Sequence, residues 1–123
     1  MRVSMKSVRA FLDSEEPDYT KAAKLGEAAI PHLSKLAQGD DRLLATKAIY
    51  LVGLIDKRGS AAVIAKAAKS PVPEIRIAAA AALRHARRFP LPDVVMQLQQ
   101  DSDPGTRKVA LTIGKRGSVR RGR

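Results

Sequence analysis

The sequence predicts an all-α protein, in which about three antiparallel helix pairs stack behind an irregular helical cap. Three observations lead to this fold class. Apolar residues recur at a helical period after Pro73, the same pattern returns at an offset of 31 residues in both directions, and polar or proline-containing turns separate the segments. Because one helix pair cannot bury its apolar stripes alone, the repeat indicates an α-solenoid.

Residues 1–27 form the predicted cap. Within it, residues 4–12 are expected to form one short helix and residues 18–25 a second. Pro17 stands in an acidic, polar breaker between them, and Gly26 is a natural stop for the second helix. The acidic side chains of this segment suit a terminal cap that keeps solvent away from the first repeat.

Three predicted units follow the cap, at residues 28–57, 60–88 and 91–115. Their helices are expected at 28–38 and 42–57, 60–69 and 73–88, and 91–100 and 104–115. Leu44, Ala48, Leu51, Val52 and Ile55 align with Ile75, Ala79, Ala82, Leu83 and Ala86, and less closely with Thr106, Ala110, Ile113 and Gly114. Residues 1–116 are therefore predicted to form one domain, and the basic residues 117–123 a disordered tail.

Five consecutive alanines, residues 78–82, distinguish the second helix of the middle unit. Their small side chains allow other helices to approach closely from several sides. Pro73 suits the first turn of this helix, where its missing N–H costs nothing, and Glu74 follows in the turn that favours acidic side chains. We therefore expect this helix to lie at the centre of the stack.

The segment from Pro73 to Arg76, with Ala79, Ala82 and Leu83, resembles the second helix of a HEAT repeat, of the short kind seen in phycobilisome-lyase-like repeats. Asp103-Pro104-x-x-Arg107 looks like the same motif again, and the resemblance covers residues 25–115. It implies a right-handed superhelix whose second helices line the concave face. It also implies that the common role of such proteins, binding other macromolecules, applies here.

The resemblance further implies a structural role for Arg76 and Arg107, which match the arginine found early in the second helix of a HEAT repeat. In the family this arginine commonly pairs with a turn aspartate of its own or an adjacent repeat. Asp41 and Asp103 are the expected partners here. Ala45 replaces the arginine in the first unit, so the ladder of ion pairs is expected to be incomplete.

The net charge of +11 is unevenly distributed along the chain. Residues 1–41 carry six basic and seven acidic side chains, a balance of −1, whereas residues 42–123 carry 17 and five, a balance of +12. Stacking at the repeat offset is expected to bring cationic side chains to one edge of the array, which we term the basic face. Its predicted members are Lys57, Arg58, Arg84, Arg87, Arg88, Lys115 and Arg116.

This one-sided positive charge indicates an acidic partner. The expected partner is an acidic protein surface, and the alternative is a nucleic-acid backbone that the same arginines and the basic tail would contact. With two tyrosines, two phenylalanines and no tryptophan, recognition of single strands by base stacking is disfavoured. Arginines near helix C-termini also complement the helix dipole and maintain solubility, so charge alone leaves a purely structural interpretation open.

No residue pattern indicates catalysis or a cofactor. The chain has no cysteine, and its two histidines, His32 and His85, lie far apart without the spacing of a metal site. Both are expected at the surface. The glycines form no phosphate-binding motif, and no serine lies in a nucleophile motif. We therefore expect a non-enzymatic protein without a cofactor, a metal or an evident small-molecule substrate.

No apolar run approaches the roughly 20 residues that span a bilayer, and the N-terminus lacks a signal-peptide pattern. We therefore expect a cytoplasmic protein that does not bind membranes. Thr106 and Gly114 interrupt the apolar stripe of the third unit, so association of several copies to complete the stack is a further hypothesis.

Overall fold

The computed structural model describes residues 3–113. This range contains helices and no strand, so the prediction of an all-α protein is confirmed. The α-helices are α1 (Met5–Leu12), α2 (Tyr19–Ala23), α3 (Ile30–Ala37), α4 (Arg42–Ile55), α5 (Ser60–Ala67), α6 (Pro73–Leu83), α7 (Pro92–Gln99) and α8 (Pro104–Ala110), and a 3₁₀ helix spans Gly26–Ala29. No helix of the described residues has both the length and the apolar character needed to cross a bilayer.

Aspartates begin α4 and α8. Asp41 Oδ1 accepts the backbone N–H of Leu44 at 3.0 Å, and Asp103 Oδ2 accepts that of Thr106 at 2.9 Å. Each bond satisfies a donor that the first helical turn leaves unpaired. No side chain caps the start of α6, which instead begins with Pro73, a residue without an N–H to satisfy.

The helix α6 lies at the centre of the molecule, as its alanines predict. It contacts α4 and α5 on one side and α7 and α8 on the other. Ala78, Ala79, Ala80 and Ala82 are buried. Within each successive pair, α3 packs on α4, α5 on α6 and α7 on α8, while the second helices α4, α6 and α8 contact one another in order.

Gly53 allows α4 to approach the backbone of α6. A Cβ atom at this position would lie 2.5 Å from the carbonyl oxygen of Ala82 and 2.8 Å from its Cβ. Real Cβ atoms essentially never approach other atoms so closely, so a side chain here would push the two helices apart. The contact between the first and second units therefore depends on the absence of a side chain at Gly53.

The N-terminal cap is attached to α4 by a lysine and a pair of tyrosines. Lys47 Nζ donates to the carbonyl oxygens of Leu12 and Ser14, at 3.1 and 2.8 Å. The ring of Tyr19 lies edge-on to that of Tyr50, with centroids 4.8 Å apart. Burial raises the pKa of Tyr19, and Tyr50 raises it further. These contacts join the cap to the first unit.

One expected boundary is wrong: the middle second helix ends at Leu83 rather than at residue 88. The backbone N–H groups of Arg84, His85 and Ala86 bond three residues back instead of four. The N–H of Arg88 donates to Asp56 Oδ2 of the first unit, at 3.0 Å. Pro90 and Pro92 then follow and have no N–H with which to continue a helix.

The last helix is also shorter than expected, ending at Ala110 rather than at residue 115. The N–H groups of Thr112 and Ile113 bond three residues back, in a tighter turn than an α-helix. Both residues are β-branched and lose side-chain freedom in a helix, which favours an early end. All other helices begin and end within two residues of their predicted bounds.

Candidate functional site

The first turn of the basic face follows α4 and carries Lys57 and Arg58, both exposed. Asp56 ends α4 in the left-handed conformation with φ of 50°, which aspartate adopts more readily than most residues. The hydroxyl of the buried Ser60 donates to the carbonyl oxygen of Val52 at 2.9 Å and accepts the N–H of Lys57 at 3.1 Å. These bonds fix the turn against the end of α4.

The second turn follows α6 and carries Arg84, Arg87 and Arg88, which are all exposed. The sequence placed these arginines on a helix, but they lie beyond its end at Leu83. The bond from the Arg88 N–H to Asp56 Oδ2 joins the second turn to the first, across 32 residues of sequence. The two cationic turns therefore lie side by side.

The described part of the basic face thus consists of five exposed cationic side chains on two adjacent turns. Lys115 and Arg116, the other predicted members, lie outside the described residues, as does the tail 117–123. Asp56 is the acidic residue at the junction, and it is half-buried. Its Oδ1 is buried and has no hydrogen-bond partner among the described residues.

His85 lies in the second turn and is exposed, as predicted. Its Nε2 is 3.1 Å from the hydroxyl of Tyr50, and the two rings meet edge to face with centroids 5.3 Å apart. His32 is half-buried on α3. Among residues 3–113, no three His, Asp or Glu side chains are grouped in a way that could hold a metal ion.

Arg76 joins the second unit to the third through Asp101. Its Nε and Nη2 donate to the two carboxylate oxygens of Asp101 at 2.8 and 3.0 Å, and its Nη1 donates to the carbonyl oxygen of Ser70 at 2.9 Å. Only 14% of the Arg76 side chain and 10% of the Asp101 side chain are exposed. The hydrogen bond from Arg76 lowers the pKa of Asp101, and the same bond raises the pKa of Arg76.

This ion pair corrects the expected partner of Arg76, which was Asp41 or Asp103. Both of those carboxylates accept backbone N–H groups at the starts of their own helices. Asp101 lies two residues earlier in the turn, where it also accepts the N–H of Asp103 at 2.9 Å. The partner of Arg76 is therefore Asp101, an earlier residue of the same turn.

Arg107 makes a backbone contact of the same kind as Arg76. Its Nη1 donates to the carbonyl oxygen of Asp101 at 2.6 Å, six residues earlier in the chain. The bond from Arg76 to the Ser70 carbonyl spans the same six residues, and the two bonds are 31 positions apart. Each of these arginines therefore holds the turn that precedes its own helix.

A cleft of about 740 Å³ lies between the first and second units. The end of α3 and the turn after it form one wall, while α5 and the turn before α6 form the other. Ala37 and Ala62 leave this space open because their side chains are small. Arg42, Lys66 and Lys69 are exposed residues of the lining and lie around its mouth.

Sequence reasoning missed Asp56, Ser60 and Asp101, as well as the cleft. The repeat offset could have found Asp101, because Asp101 aligns with Ser70. The two residues make equivalent bonds: Ser70 Oγ accepts the N–H of Val72 at 3.1 Å, and Asp101 Oδ1 accepts the N–H of Asp103 at 2.9 Å. An aspartate at a helix C-terminus is disfavoured by the helix dipole, which suggests that Asp56 has a separate partner. The cleft has no sequence signal, since it depends on how two units are spaced.

Comparison of the chain with protein-family models, with curated proteins and with solved structures gives no match.

Proposed function

We propose that this chain is a non-enzymatic cytoplasmic scaffold, and that its basic face binds an acidic surface of a partner protein. The observation that carries the proposal is the bond between the Arg88 N–H and Asp56, which places two cationic turns side by side. Ser60 holds the first of these turns in place. Because both turns are ordered before binding, less conformational freedom is lost when a partner binds.

Complementary charge is the property that such a surface supplies. Lys57, Arg58, Arg84, Arg87 and Arg88 are exposed and make no ion pair within residues 3–113. Charges of one sign steer an oppositely charged surface into contact and disfavour like-charged competitors. Arginine is also enriched at protein interfaces, where its planar group binds carboxylates at two points.

We further propose that the helix pairs form a right-handed, HEAT-like solenoid of three units. Two features support this: α4, α6 and α8 contact one another in order, and the arginine-to-carbonyl bonds of Arg76 and Arg107 recur at the offset of 31 residues. An experimental structure tests the proposal through the sense of rotation from one unit to the next. A left-handed rotation would overturn it.

The second candidate is binding to a nucleic-acid backbone, favoured by the balance of +12 in residues 42–123. Contacts from arginines to phosphates release counterions, so this function requires an affinity that falls steeply with salt. It also requires weak dependence on base sequence, because phosphate contacts carry no sequence information.

Fluorescence anisotropy over a salt series distinguishes the two candidates. The full chain is titrated into labelled duplex DNA, single-stranded DNA, RNA and a polyglutamate peptide. The test variant is Arg84→Glu with Arg87→Glu, and the control, Lys21→Glu with Lys24→Glu, makes the same change of charge at exposed residues of the cap.

Saturable peptide binding that only the test variant loses supports the protein-binding function. Tighter binding to nucleic acid, with a steep salt slope and the same loss, supports the second candidate instead. Equal loss in the two variants would show that net charge, rather than the basic face, causes the binding, and would contradict both candidates. Absence of binding to every probe would contradict both as well.

A further inference from the structure

The cleft between the first and second units combines an apolar floor with a cationic mouth. Val63, Ala67 and Ile75 line it and are buried, with 6–8% of their surface exposed. Its volume of about 740 Å³ lies in the range of about 300–1,000 Å³ that is usual for small-molecule sites. The cleft lies between α3 and α5, which contact each other only sparsely.

Two of the three cationic side chains at the mouth are not neutralised by the rest of the described chain. Lys66 and Lys69 make no ion pair or hydrogen bond through their ammonium groups within residues 3–113. Arg42 is 3.8 Å from Glu74, and both of these side chains are about 60% exposed. Asp40 is the acidic residue of the lining, so the three cations there stand near two anions, Asp40 and Glu74.

The cleft and the basic face are separate surfaces. Both α4 and α6 begin beside the cleft and end at the cationic turns, and the 14 residues of α4 span about 21 Å. A partner bound at the basic face therefore leaves the cleft open.

We propose that this cleft binds a small amphipathic carboxylate, with its apolar body on the floor and its carboxylate between Lys66 and Lys69. An apolar floor retains a hydrocarbon body through burial, and the lysines select a negative head group over a neutral or positive one. Glu74 competes with the ligand for Arg42. This inference is independent of the proposed scaffold function, because it uses none of the residues of the basic face.

Titration of the full chain with octanoate, followed by amide chemical shifts in NMR, tests the proposal. Octanol and octylammonium, which share the hydrocarbon chain but not the charge, run in parallel. We expect saturable shifts confined to the turns at 38–42 and 66–72 and to the adjoining parts of α3 and α5. Octanoate is expected to bind roughly tenfold more tightly than octanol, and octylammonium more weakly than either.

Three variants locate the site. The double variant Lys66→Gln with Lys69→Gln is expected to lower the affinity for octanoate about tenfold and to leave the affinity for octanol unchanged. The control, Lys35→Gln with Lys108→Gln, changes exposed lysines outside the lining and is expected to alter neither affinity. Ala62→Phe fills the cleft from its exposed wall and is expected to abolish binding of both. Glu74→Gln is expected to tighten octanoate binding two- to threefold by releasing Arg42, a gain that misfolding cannot produce.

Equal affinities for octanoate and octylammonium would overturn the proposal, because the lysines would then not distinguish a negative head group from a positive one. Shifts centred on the turns at 56–60 and 84–88 would overturn it too, by placing the ligand on the basic face. So would the lack of a saturable shift below about 10 mM octanoate, an affinity too weak for a specific site.

Discussion

The two contacts between successive units use different chemistry. Between the first and second units, Gly53 lets α4 meet the backbone of α6, and the ion pair that spans this contact, Arg42 to Glu74, is exposed and 3.8 Å long. Between the second and third units, the ion pair of Arg76 with Asp101 is largely buried and has two hydrogen bonds.

This difference shows that a repeated backbone register does not require a repeated interaction. Close packing gains its stability from apolar contact and tolerates no added volume. A buried ion pair gains specificity from geometry, and removing one partner leaves the other charge without compensation. The first contact is therefore expected to be sensitive to side-chain size and the second to charge and pH.

The largest effect is expected from Gly53→Val, because its side chain would overlap the backbone of Ala82. We expect a loss of at least about 3 kcal/mol in the free energy of unfolding, measured by urea denaturation. The control is Gly39→Val, where the nearest atom to an added Cβ is 3.5 Å away and the residue is exposed. If both variants lost the same stability, the close contact of α4 with α6 would not be the cause.

Arg76→Met is expected to cost about 2 kcal/mol in the same measurement, because it leaves the carboxylate of Asp101 buried without its cation. The loss of stability should be concentrated at the contact between the second and third units. Amide hydrogen exchange should therefore accelerate in α7 and α8 before it does in α4. Uniform acceleration along the chain would contradict the assignment of this pair to the contact between the second and third units.

The pair also predicts a pH dependence. Since Arg76 lowers the pKa of Asp101, the folded state binds a proton less readily than the unfolded state. The stabilisation is complete above the ordinary aspartate pKa of about 3.8 and is lost as the pH falls through the lowered pKa of the folded state. Asp101→Asn should lower the free energy of unfolding by about 1 kcal/mol at neutral pH. In strong acid the variant and the natural chain should have the same free energy of unfolding. A difference independent of pH would exclude a contribution from the charge.

The smallest effect is expected from Arg42→Met, below about 0.5 kcal/mol. Solvent screens the long contact of Arg42 with Glu74, since both side chains are about 60% exposed. Urea denaturation of this variant beside Arg76→Met compares the two ion pairs directly. Losses of similar size would mean that burial does not distinguish the two contacts.

The local rules predicted much of this fold because they depend on nearby residues. The apolar period located the helices, and the capping preference of aspartate located the starts of α4 and α8 at Asp41 and Asp103. The end of α6 was placed too late because the apolar period continues to Ala86, beyond the last α-helical residue, Leu83. The bond that holds the turn after it, from the Arg88 N–H to Asp56, comes from another unit and leaves no signal in the segment itself.

The candidate sites were less predictable for the same reason. The partner of Arg76 was misassigned because the choice among the aspartates of one turn, Asp101 or Asp103, depends on where the preceding unit places the guanidinium. The cationic residues themselves could be named from sequence, since charge needs no geometry. Their arrangement on two turns, and the cleft beside Lys66 and Lys69, depend on the spacing between units.

The contact from Arg76 to Asp101 also bears on how the chain folds while it is synthesised. Arg76 is translated 25 residues before its partner, and a ribosome adding about 5–20 residues per second needs roughly one to five seconds for that interval. The same delay separates their emergence from the ribosome, and in that interval α6 can pack against α4 but Arg76 lacks its counter-ion. The middle unit therefore acquires its final stability only when the turn at 101–103 emerges, which ties completion of the second unit to the arrival of the third.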